Sequence, residues 1–106
     1  MNKDVIFSEK EGTLTAKLEC DIDHHTAKPM RQKIDKRLSE SAPRALILDF
    51  SAVGFMDSSG LGLILGRVER ASEIGATVYL VGLSPTLMKL VRLSGIERIR
   101  NLSLIK

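Results

Sequence analysis

Two short, almost wholly apolar runs, residues 45–50 and 77–81, bracket a longer stretch with helical spacing, and this alternation restricts the fold more than any other feature. Residues 45–50 are Ala45, Leu46, Ile47, Leu48, Asp49 and Phe50. A strand that is apolar at nearly every position reads as one buried on both faces, which is the habit of parallel sheets. Between the runs, Leu61, Ile64, Leu65 and Val68 recur at three- and four-residue intervals, so a helix beginning near Gly60 is expected to turn them inward. Gly75 sits where a left-handed helix stop is wanted.

The flanking segments extend the pattern. Residues 5–7 and 14–18 read as strands joined by a turn at Glu11 and Gly12, forming an antiparallel hairpin. A helix follows with Thr26 as its expected N-cap, which puts Pro29 at the third helical position, where a missing N–H is tolerated. Ala27, Met30, Ile34 and Leu38 form its apolar stripe, and Pro43 bars continuation. Ser84 and Pro85 open a third helix, with Leu87, Leu90 and Val91 inward and Gly95 as its stop. Residues 99–105 read as a last strand. The expected fold is therefore α/β: a mixed, mostly parallel sheet of four to five strands with an N-terminal hairpin and packed helices. Strand order is not readable from these patterns.

Composition limits the function classes. With 106 residues and 43% hydrophobic content, the chain is expected to form one domain spanning 1–106 with a real core. No apolar run approaches the roughly 20 residues of a spanning helix or suits a secretory signal, so a cytoplasmic location without membrane contact is expected. The lone cysteine, Cys20, cannot form an internal disulfide. The net charge is +3, and with three Phe, one Tyr and no Trp there is little to stack on bases. The cations on the expected helices (Lys28, Arg31, Lys33, Lys36 and Arg37 on one, Arg67 and Arg70 on another) therefore read as solvated faces rather than a nucleic-acid surface.

Residues 49–62 carry the functional signal. They leave the carboxyl end of the central strand, the rim where α/β sheets bind ligands and partners, and deliver Ser58 and Ser59 to a helix start. Asp57, Ser58 and Ser59 are all good N-caps, so a plain capped helix accounts for the pattern. A hydroxyl held there is also exposed and tolerant of an added phosphate. Other chemistries fit worse. Gly60, Gly62 and Gly66 miss the dinucleotide fingerprint because Leu65 stands where its third glycine belongs. A nucleophile elbow needs glycine two residues before its serine, and Met56 and Asp57 occupy those places. Cys20, Asp21, Asp23, His24 and His25 lack a second ligand pair, and adjacent histidines on an extended segment would point apart, so no metal is expected.

Asp23, His24, His25, Thr26 and Ala27, followed by Phe55, Met56, Asp57, Ser58, Ser59, Gly60, Leu61 and Gly62 and then Ile64, Leu65, Gly66 and Arg67, together resemble the anti-sigma factor antagonists of the STAS family (sulphate transporter and anti-sigma antagonist), closest to its sporulation members. Cys20 stands where that family usually has glycine. The resemblance implies a non-enzymatic, cofactor-free regulator that binds an anti-sigma factor serine kinase and releases a sigma factor. It implies phosphorylation of Ser58 by that kinase and reversal by a PPM-type phosphatase. Asp23 then matches the aspartate beside the phosphoacceptor, and its removal is expected to impair phosphorylation or binding with little effect on stability. The partner-facing set it implies is Asp23, His24, Phe55, Met56, Asp57, Ser58, Ser59, Gly60, Leu61 and Gly62. An alternative is a STAS module of another bacterial signalling complex, such as a stress-response regulator.

Overall fold

A computed structural model describes residues 4–105. The chain runs β1 (Val5–Lys10), β2 (Thr13–Leu18), α1 (His24–Ser41), β3 (Ala45–Asp49), α2 (Ser58–Glu73), β4 (Thr77–Val81), α3 (Pro85–Ser94), a 3-10 turn (Ile96–Arg98) and β5 (Leu102–Leu104). The five strands lie side by side in the order β1-β2-β3-β4-β5. Only β1 and β2 pair antiparallel, with Val5 opposite Leu18 and Lys10 opposite Thr13; the other neighbours are parallel. Glu11 and Gly12 both adopt positive φ in the hairpin turn.

The sheet is buried on one face, which corrects the expectation for residues 45–50. Leu46 and Leu48 are fully buried beside Leu14, Ala16, Leu18, Val78 and Leu80. Ala45, Ile47 and Asp49 on the opposite face are only half-buried, as are Thr15, Lys17, Thr77 and Tyr79. Strand order supplies the reason. Each crossover from β2 to β5 steps the same way across the sheet, and crossovers of one hand place their helices on one side.

Two helix boundaries move from their expected places. The N-cap of α1 is Asp23, not Thr26; Thr26 is instead the third residue of a capping box, accepting from the Asp23 N–H at 2.9 Å. Pro29 consequently lies at the sixth helical position, where its absent N–H leaves the carbonyl of His25, an exposed residue, to solvent. Helix α2 starts at Ser58 with Asp57 as its cap, two residues before Gly60. Its buried stripe is Gly60, Leu63, Ile64, Arg67, Val68 and Ala71, so Leu61 is half-buried and Leu65 is exposed. Apolar residues nearly encircle the first turns of α2, and periodicity alone does not choose among them. The last strand begins at Leu102, not Ile99, because residues 99–102 form a turn in which Leu102 N–H donates to the Ile99 carbonyl at 3.2 Å.

Candidate functional site

Loops 19–23 and 50–57 leave the carboxyl ends of two adjacent parallel strands, β2 and β3, so the topology brings them together at one rim of the sheet. They are stitched by backbone pairing. Ile22 N–H donates to the Phe55 carbonyl at 3.0 Å, and Asp57 N–H donates to the Ile22 carbonyl at 3.1 Å, a parallel bridge between Ile22 and Met56. Asp21 adds a second clasp: one carboxylate oxygen accepts from Gly54 N–H at 2.9 Å and Phe55 N–H at 3.0 Å. In the sequence Asp21 figured only in a rejected metal set, and nothing local to it marks a partner 33 positions away.

Beneath the loop, Met56 is buried against Gly60. A Cβ on Gly60 would lie 2.0 Å from Met56 Cγ, so glycine is what lets α2 begin directly over this side chain. Met56 and Gly60 thus build the site from below. Phe55, 56% exposed, points outward with both its backbone N–H and its carbonyl pinned. Asp57 caps α2 by accepting from Ser59 N–H at 2.7 Å, which leaves Ser58 as the first helical residue, exposed, with no hydrogen bond to its hydroxyl among the described residues. Leu61 is half-buried and Gly62 exposed one turn further on.

Asp23 faces the same rim in a structural role. One of its oxygens accepts from His25 N–H at 2.8 Å and Thr26 N–H at 3.0 Å. The Thr26 and His25 N–H groups, with a smaller contribution from the His25 charge, hold its carboxyl below the usual aspartate range. Removing Asp23 would strip α1 of its cap, which argues against the expectation that its loss leaves stability nearly unchanged. His24 and His25 are exposed on the first turn of α1, where their rings meet edge to face at 5.4 Å instead of pointing apart, because this segment is helical and not extended. Burial, followed by Asp4 and Asp21, pushes the Cys20 thiol up and keeps it protonated. Among the described residues no group of His, Cys, Asp and Glu is arranged to hold a metal ion, and no helix is long and apolar enough to cross a membrane.

Arg67 overturns the reading of its charge as solvated. Its side chain is 4% exposed, and Nε lies 2.8 Å from Asp35 Oδ1, tying α2 to α1. Burial lowers its pKa from the ordinary arginine value; Asp35 opposes that shift, while Arg31 and Arg70 add to it.

The STAS domain family model matches residues 4–104. The chain is 30% identical over 99 residues to the anti-sigma F factor antagonist of Paenibacillus polymyxa, covering 93% of this chain and 85% of that one. It is 27% identical over 103 residues to the anti-sigma-B factor antagonist of Bacillus subtilis, covering 97% and 93%. The Bacillus cell fate determinant SpoIIAA in its phosphorylated form superimposes with a TM-score of 0.73 at 28% identity, covering 96% of this chain and 91% of that one. A family model spanning residues 4–104 establishes that this protein belongs to the STAS domain family.

Proposed function

We propose that this protein is an anti-sigma factor antagonist that binds an anti-sigma factor serine kinase, releases the sigma factor the kinase would hold, and is switched off by phosphorylation of Ser58. The observation that carries this reading is the placement of Ser58: an exposed, unbonded hydroxyl at the first position of α2, on a loop clasped from two sides. The relatives named as antagonists of anti-sigma factors, and a phosphorylated structure among the similar folds, support it. Ser58 is in this account the substrate of the partner's active site and not a catalyst. A PPM-type phosphatase restores the free hydroxyl, and the cycle runs in the cytoplasm without metal or cofactor on this chain.

The switch acts at the surface. A phosphate on Ser58 adds about −1.5 to −2 charge at neutral pH. Within the free protein the α2 N-terminus stabilises that charge. In the complex it must be desolvated against a surface shaped for a hydroxyl, and two like charges about 4 Å apart cost about 4 kcal/mol at an effective dielectric near 20.

The test is incubation with ATP and each histidine-kinase-like ATPase of the source organism, followed by mass spectrometry. A single phosphate on Ser58, absent in Ser58→Ala, is the expected result. Modification confined to another residue, or none with any kinase, would overturn the proposal. The similarity to an anti-sigma-B factor antagonist favours one second reading, a role in a stress-response complex; the identity of the kinase that modifies Ser58 separates the two.

A further inference from the structure

Between the first turns of α1 and α2 lies an open groove of about 580 Å³. One wall carries His24, His25, Lys28 and Arg31 from α1; the other carries Ser59 and Gly62 from α2. No carboxylate lines it. The nearest candidates in sequence, Asp23 and Asp57, are turned to backbone N–H groups as helix caps. Lys28 and Arg31 are both exposed, and neither has an ion-pair partner among the described residues. Arg31 also acts on the buried Arg67 guanidinium with like charge, and Arg67 Nη1 has no hydrogen-bond partner. The wall is thus a cationic surface that no carboxylate faces, while the buried Arg67 charge nearby is matched by Asp35.

The opposite wall is shaped for close approach. Gly62 is exposed inside a helix, and a Cβ there would meet nothing within 4 Å. A glycine within a helix costs about 1 kcal/mol relative to alanine. No contact inside this chain accounts for that cost, whereas a neighbouring backbone laid in the groove would. The groove also adjoins the phosphoacceptor, because Ser59 follows Ser58 directly.

We infer that this groove is a docking site for an acidic segment of the partner kinase, with its carboxylates meeting Lys28 and Arg31 and its backbone passing over Gly62. The inference rests on the Ser58 reading for the identity of the partner, but the chemistry of the groove is testable without it. In an isotope-labelled sample titrated with a short oligoglutamate peptide, the amides of Lys28, Arg31, Ser59 and Gly62 should shift together and saturably, and salt should reverse the shifts. Shifts elsewhere, no shifts, or displacement of the peptide by ATP at lower concentration would overturn the proposal, the last by reassigning the groove to a nucleotide.

With the kinase that modifies wild-type protein, Lys28→Glu/Arg31→Glu should lower kcat/KM for Ser58 phosphorylation by about tenfold and leave kcat unchanged, since charges at an interface rim act mainly on encounter. Gly62→Leu, which fills the groove without changing charge, should produce a similar loss, and thermal melts of both variants verify that they fold. Wild-type kcat/KM in both variants would sink the docking site and leave the Ser58 switch standing. Failure of every kinase to modify wild-type protein would sink the switch, and the peptide titration then decides the groove alone.

Discussion

At Gly60 the absence of one carbon atom sets the geometry of the loop that presents Ser58. The added Cβ of Gly60→Ala would sit 2.0 Å from Met56 Cγ and 2.3 Å from its sulfur, and Met56 is only 4% exposed. This substitution should cost about 1–3 kcal/mol in urea unfolding as the core side chain is forced aside. Gly62→Ala, two residues along the same helix, should instead stabilise by about 0.5–1 kcal/mol, because its methyl group meets only open space. The contrast checks that the two glycines serve different ends. Asp23 offers a pH test. Its folded pKa is depressed, so its carboxylate contributes stability fully above the unfolded value of about 3.9 and loses it as pH falls through the lower folded value. The melting temperature of Asp23→Ala should therefore fall below that of wild type at neutral pH, with the gap narrowing in the acid range. At this scale the sequence was informative about Ser58 and silent about the Asp21 clasp, since a cap acts within three residues whereas the clasp spans 33.

The helices are held to one another by more than apolar burial. Arg67 on α2 and Asp35 on α1 form an ion pair in which the arginine is almost wholly buried. Breaking such a pair from either side strands the other charge, and the cost is larger when the stranded group is Arg67, 4% exposed, than when it is Asp35, 22% exposed. Asp35→Ala should therefore destabilise by about 3 kcal/mol and Arg67→Met by less, while the double replacement Asp35→Leu/Arg67→Met should be closest to neutral, all read by denaturant unfolding. The strand and helix runs were legible because periodicity and turn residues act locally. Helix phase was less so. Leu61, Leu63, Ile64 and Leu65 are consecutive or nearly so, and the stripe that faces inward was chosen by where α2 starts over Met56. The α1 boundary was misplaced because Thr26 and Asp23 are both good caps, and the reciprocal box uses both.

For the whole molecule, the expectation is a switch that leaves the fold intact. Protein phosphorylated at Ser58 should melt within about 4 °C of the unmodified form, less than about 1 kcal/mol, because the phosphate lies outside the core on a helix N-terminus. Its affinity for the kinase should fall roughly a hundredfold, about 2.7 kcal/mol, measured by isothermal titration against the truly phosphorylated protein. Much of the molecule was contained in its local patterns: alternating strands and helices, the N-terminal hairpin, and a serine pair delivered to a helix start beyond a central strand. Those features depend on hydrogen bonds and burial within a few residues of each position, so a linear reading recovers them. Strand order, the single buried face of the sheet, the clasp between the two rim loops and the cationic groove depend on contacts between distant segments. They exist only once crossovers of one hand have set α1 beside α2 and β2 beside β3, and no residue in the chain encodes that juxtaposition alone.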